Sequence, residues 1–146
     1  MNPYAQTKQY KNADVASMTP GEQIARLLET AAKHMYRAKE HAEKKEYGER
    51  FSATEDAMKI IHGLQNCLSD DPAAEKMRDT LDAYYNSMTL LITRHNMKND
   101  VEAAVSVIES LTEMAATWRQ VDAKVRQENQ AASATATPEA FSAVSA

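Results

Sequence analysis

Glycine is scarce in this chain, three residues in 146, and cysteine is scarcer still, with Cys67 alone. No glycine-rich phosphate loop, no Gly-x-Ser-x-Gly elbow and no Cys-x-x-Cys pair is present, which removes the commonest signatures of nucleotide binding, serine hydrolysis and redox chemistry. A single cysteine excludes an internal disulfide, and Cys67 falls among apolar helical positions, where a small core residue is expected. No apolar run approaches the ~18 residues of a membrane span. Met1 to Gln6 lacks a charged segment followed by an apolar run, so no signal peptide is expected and the cytoplasm is the expected compartment. The net charge of −4 gives no bulk attraction to nucleic acid or to an anionic membrane.

The four histidines do not build a metal site. Di-metal helical bundles use Glu-x-x-His from two helices. Three residues before His34, His41, His62 and His95 stand Ala31, Ala38, Lys59 and Ile92, so no pair fits. Exposed or interfacial histidines are expected, with no metal, no cofactor and no enzymatic activity.

What is plentiful is Ala, Met, Leu, Glu and Lys, a helix-rich composition with 43% apolar and 26% charged residues. Four amphipathic segments follow from periodicity. The first spans about Pro20 to Lys44, with Ile24, Leu27, Leu28, Ala31, Met35, Ala38 and Ala42 at three- and four-residue steps. Lys44-Lys45-Glu46-Tyr47-Gly48 interrupts it. The second spans about Glu49 to Ser69, with Phe51, Ala57, Met58, Ile61, Leu64 and Leu68. Asp71 caps and Pro72 opens the third, which carries Met77, Leu81, Tyr84, Tyr85, Met88, Leu91 and Ile92 to about His95. The fourth follows Asn99, with Glu102 at capping-box spacing and a stripe of Val101, Ala104, Ile108, Leu111, Ala115, Trp118 and Val125. Long helices joined by short loops predict an all-α, antiparallel up-and-down four-helix bundle.

Three units are expected: a strap over 1–18, the bundle over 19–128, and a tail over 129–146. The tail is Ala, Ser and Thr with almost no large apolar group, which predicts disorder. The strap ends at Thr19-Pro20-Gly21-Glu22, where Thr19 is a helix N-cap, Pro20 suits the first helical position and Glu22 can close a capping box. Before it, Tyr10 and Val15 are two apolar anchors in a polar, non-periodic stretch, which gains little unless they dock on the body.

Two helices carry more apolar surface than one core face needs. Tyr84, Tyr85, Met88, Leu90, Leu91 and Ile92 exceed a ~100° arc on the third, and Val105, Val107 and Met114 widen the stripe of the fourth. Excess width fits a tightly surrounded helix, an oligomer surface or a groove for a partner helix. The eight methionines suit either a core or an adaptable surface. Lys33, Arg37, Lys44 and Lys45 interleave with Glu29, Glu40, Glu43 and Glu46 and read as paired surface charge.

The pattern from Asn2 to Val125 resembles the flagellar secretion chaperone (FliS) family. Asn2-Pro3-Tyr4, Tyr10, Val15 and Thr19-Pro20-Gly21-Glu22 sit at its N-terminal spacing. Ala57-x-x-Ile60-Ile61, Tyr85-x-x-Met88, Asn96-Met97-Lys98-Asn99-Asp100 and Trp118 follow in the family's order. The chain departs from it in Leu27-Leu28-Glu29-Thr30 where Leu-Tyr-x-Gly is common, in Ser87 for a tyrosine, and in Leu90-Leu91 for paired arginines. The resemblance implies a cytoplasmic bundle that holds the C-terminal helices of flagellin, blocks their premature polymerisation and presents them to the export gate of the flagellar type III apparatus. It also implies that the N-terminal segment can occupy part of the groove. Tyr10, Val15, Leu27, Ile61, Leu64, Tyr85, Met88 and Trp118 are the residues expected to bind the client or support its groove. A second copy or a co-chaperone is a further expected partner for the apolar Leu90-Leu91 face. A helical adaptor of flagellar assembly with another protein client is the alternative.

Overall fold

The computed structural model describes residues 18–145, with side chains through Ala134. Among the described residues, four α-helices and one short 3₁₀ turn follow one another: α1 Pro20–Glu43, α2 Tyr47–Asn66, the 3₁₀ turn Pro72–Ala74, α3 Glu75–Lys98 and α4 Val101–Ser145. The expected all-α bundle is what the chain forms, and no strand occurs among the described residues. Helix α1 packs along both α2 and α4, while α3 closes the bundle by contacting α2 and α4. Ala25, Ala31, Ala32, Ala38 and Ala42 on α1 let α2 and α4 approach it closely. Larger side chains hold α3, with Tyr85, Met88 and Ile92 buried against Leu28, Met35, Ile61, Val107 and Leu111.

The helix ends show where sequence signals act and where they are diverted. Thr19 is extended and its Oγ1 accepts the Glu22 N–H at 3.2 Å, the expected cap. The same hydroxyl donates to Asp122 Oδ2 on α4 at 2.6 Å, so the cap also ties the start of α1 to α4. The reciprocal half of the capping box does not form, because the Glu22 carboxylate accepts from Arg119 at 2.9 Å instead. Gly21 allows this approach: a Cβ there would stand 3.2 Å from the Trp118 carbonyl and 3.0 Å from Asp122 Cβ.

The α1–α2 turn is not made by the glycine in its vicinity. Lys45 takes the left-handed conformation, with φ 60°. Its N–H donates to the Ala42 carbonyl, and that of Glu46 to the His41 carbonyl, the paired bonds of a Schellman ending. A lysine there costs about 1 kcal/mol relative to glycine. Gly48 lies inside the first turn of α2, which starts two residues before the expected Glu49.

Helix α2 also ends early, at Asn66 rather than near Ser69. Cys67 is thereby placed in the C-cap and is exposed, not in the core as expected. The helical register that would have turned it inward stops one residue before it. Asp71 caps as expected, accepting from the Ala73 N–H at 3.0 Å, but Pro72 opens a 3₁₀ turn rather than α3 itself. At the far end Asn99 is left-handed, with φ 52°, and Asp100 caps α4 by accepting from the Ala103 N–H at 3.1 Å. Asn99 was the expected cap; it ends α3 instead, as a short amide side chain permits.

His95 is fully buried, not exposed or interfacial as expected. Its Nδ1 lies 2.8 Å from the Asp100 carbonyl, which fixes the proton on that nitrogen and joins α3 to the turn before α4.

Helix α4 is 45 residues long, about 67 Å, against about 36 Å for the 24 residues of α1. It therefore outruns the bundle. Residues 123–134 are all exposed, so the segment set apart as a tail makes no contribution to the core up to Ala134. The helix continues through it to Ser145, in keeping with the strong helix propensity of its alanines.

Candidate functional site

At the end of the bundle where α1 starts, α3 begins on the 3₁₀ turn and meets α4 through long side chains. The gap between them is an apolar cleft of about 540 Å³. Met77 and Leu81 from α3 line one wall; Met114, Trp118 and Val121 from α4 line the other. A second cavity, about 230 Å³, lies behind it among Ile24 of α1, Leu64 and Leu68 at the end of α2, Tyr85 of α3, and Trp118. Met77, Leu81 and Trp118 border both, so the two form one apolar groove across this end of the bundle.

The sequence reading located part of this groove. Leu64, Tyr85 and Trp118 line it. Ile61 and Met88 are buried in the core cluster and support it from below rather than reach its surface. Leu27 points away: it is 44% exposed on α1, while its neighbour Leu28 takes the core position. Tyr10 and Val15 lie outside the described residues. Missed altogether as site residues were Met77, Leu81, Met114 and Val121. Their positions at i, i+4 on α3 and i, i+4, i+7 around Trp118 on α4 carried the signal, since Val121 is 49% exposed where the core stripe has already ended.

Lys76 and Arg78 of α3 border the groove, and its wall carries one buried phenol, Tyr85. Burial pushes the Tyr85 phenol up to about 12, with the neighbouring Tyr84 adding to the shift. Tyr84 meets Tyr85 edge to face at 5.6 Å and accepts a hydrogen bond from Ser110 of α4 at 3.2 Å, which braces the α3–α4 wall. The Trp118 indole N–H is buried and has no acceptor among the described residues. No cluster of three or more His, Cys, Asp or Glu that could hold a metal occurs among the described residues.

Beside the groove, Arg119 clamps α4 to α1. It donates to Glu22 at 2.9 Å and to Glu29. Its hydrogen bonds hold both carboxyls below the usual carboxylate value, against the opposing effect of desolvation. A folded-state value below the unfolded one stabilises the fold above about pH 4.5 and ceases to do so as pH falls through the lowered value. Arg119→Gln is therefore expected to flatten the acid limb of stability. Urea midpoints at about pH 7 and about pH 3.5 should differ less in the variant than in the parent; an equal difference would show that the clamp carries no linkage.

The chemistry available here is shape and apolar surface. The groove can accept an amphipathic helix, with two flexible thioethers, Met77 and Met114, adapting to its side chains. Among known protein families, the model described as "FliS: Flagellar protein FliS" matches residues 1–125. That match ends three residues beyond Asp122, the last residue of α4 that is not exposed among those with described side chains. No curated protein matches the chain.

Proposed function

The chain belongs to the FliS flagellar protein family, and from that premise we propose that its groove holds the C-terminal helices of flagellin before export. Family membership supports a general role as a flagellar export chaperone, and the family is not catalytic. The observation that carries the finer reading is the continuous apolar groove of Met77, Leu81, Trp118 and Val121 at the end of the bundle. A client helix seated there buries side chains that it would otherwise offer to other flagellin chains. Mass action does the rest: binding the monomer lowers the concentration of free polymerising helices. A client carbonyl over Trp118 would also satisfy its indole N–H.

The proposed working unit is 19–128, with 1–18 as a strap over the groove and 129–146 as a separate tail. Thr19 is tied to Asp122, next to Val121 in the groove wall, so the strap leaves the body at the groove's rim. At about 3.3 Å per residue, Val15 reaches about 13 Å from Thr19 and Tyr10 about 30 Å, enough to span the groove. A strap that competes with the client reduces the fraction of binding-competent chaperone. No helix among the described residues is long and apolar enough to cross a membrane. The cytoplasm is the proposed compartment, with the export gate as the point of delivery.

Deleting the residues before Ala16 tests this arrangement. The shortened protein should bind an environment-sensitive apolar dye more strongly and capture the flagellin C-terminal segment with a faster on-rate. Unchanged dye binding and unchanged association kinetics would mean that Tyr10 and Val15 cover nothing the client needs.

A further inference from the structure

Among the described methionines only Met77 and Met97 are exposed, at 64% and 79%, while Met35 and Met88 are buried in the core. The two exposed thioethers are placed differently. Both stand on α3, Met97 near its end and Met77 near its start. Met97 borders neither cavity of the groove; Met77 borders both. An exposed thioether in the wall of an apolar groove is open to oxidants as well as to a client.

The same groove holds a donor without an acceptor. Trp118, the one tryptophan of the chain, borders both cavities with Met77. Its indole N–H is buried and makes no hydrogen bond among the described residues. The hydroxyls of the larger cleft are already engaged: Thr80 donates to the Lys76 carbonyl at 2.9 Å, and Thr117 to the Glu113 carbonyl at 3.0 Å. A thioether is a poor acceptor for the indole; a sulfoxide oxygen is a good one.

We propose that Met77 is an oxidation switch of the groove, which peroxide closes by converting its thioether to the sulfoxide. The inference rests on the groove being the client site proposed above. The sulfur lone pair takes one oxygen of hydrogen peroxide as the O–O bond breaks. The proton of the transferred oxygen leaves with the other oxygen as water. Sulfur gives up two electrons, and the peroxide takes them. The new S–O group turns a flexible apolar wall residue into a polar one. Its oxygen accepts from the Trp118 indole, which holds the side chain across the space that a client helix needs. A seated client shields the sulfur, so the switch stops loading rather than ejecting cargo. Methionine sulfoxide reductases, using a thiol reductant, reset it.

The test uses the full chain carrying Cys67→Ser, which removes the thiol bordering the smaller cavity as a second target. After dilute hydrogen peroxide, peptide mass mapping should find one added oxygen on Met77 and Met97 about tenfold sooner than on Met35 and Met88. As Met77 reacts, Trp118 emission should shift and an apolar dye should bind less. Affinity for the flagellin C-terminal segment should fall about tenfold or more. Adding Met77→Leu should abolish all three responses, whereas Met97→Leu should leave them in place. Met77 reacting as slowly as Met35, emission and dye binding unmoved by its oxidation, unchanged affinity of the oxidised protein, or responses that persist in Met77→Leu would each overturn the switch. Failure of the untreated protein to bind the segment overturns the client reading instead, and the mapping, emission and dye still decide the switch.

Discussion

Val121→Asp should weaken binding of the flagellin C-terminal segment about thirtyfold or more while leaving the bundle as stable as the parent. Val121 is 49% exposed and lines the larger cleft on α4, one turn from Trp118. In the free protein an aspartate there keeps its water. Under a client helix it would be desolvated against Met77, Leu81 and the client's apolar face. A carboxylate buried without a partner is disfavoured by several kcal/mol, and central groove positions typically account for ~2 kcal/mol or more of binding. Calorimetric titration of parent and variant gives the affinity ratio, and a urea transition for each gives the stability. A variant that bound the client like the parent, with the fold intact, would move the client off this groove.

Tyr85→Ala should lower stability by about 3 to 5 kcal/mol, the largest folding effect expected of a single substitution in the bundle. Tyr85 is only 2% exposed and belongs to the core cluster of all four helices. Its ring also braces Tyr84, which is tied to Ser110 on α4. Because burial holds the phenol neutral, with a value of about 12, the loss is one of packing and not of charge. Tyr85→Phe should cost far less, since it keeps the ring. Urea unfolding of the three proteins measures the difference. A loss under about 1 kcal/mol for the alanine variant would contradict the placement of Tyr85 at the centre of the core.

These two positions mark how far the sequence could be read. Periodicity identified four helices because Ala25, Leu28, Ala31 and Met35, and their counterparts on the other helices, face one core. Caps were legible where one residue decides them, as Thr19 and Asp71 do. They were misplaced where a tertiary partner or a neighbouring residue competed: Glu22 turned to Arg119, and Asn99 ceded the α4 cap to Asp100. Cys67 went astray for the same kind of reason, since an apolar register cannot tell where α2 stops.

The groove was half legible. Tyr85 and Trp118 were named because the family pattern and the apolar stripes agree on them, and Leu64 because it lies on the stripe of α2. Met77, Leu81 and Val121 show in the sequence only as helical spacing, which does not separate a groove wall from a core face. They become a site only because α3 enters on a 3₁₀ turn and leaves space against α4. Leu27, named with them, faces outward because Leu28 fills the core beside it. On the outside of α3, Leu90 was legible as excess apolar width, and it is 71% exposed.

The most direct test of the central claim is calorimetric titration of the full chain with the C-terminal segment of flagellin. The expected result is saturable one-to-one binding at about 1 µM or tighter, with the negative heat-capacity change of apolar burial. No saturable binding of the segment, with full-length flagellin equally unbound in the same buffer, would contradict the account.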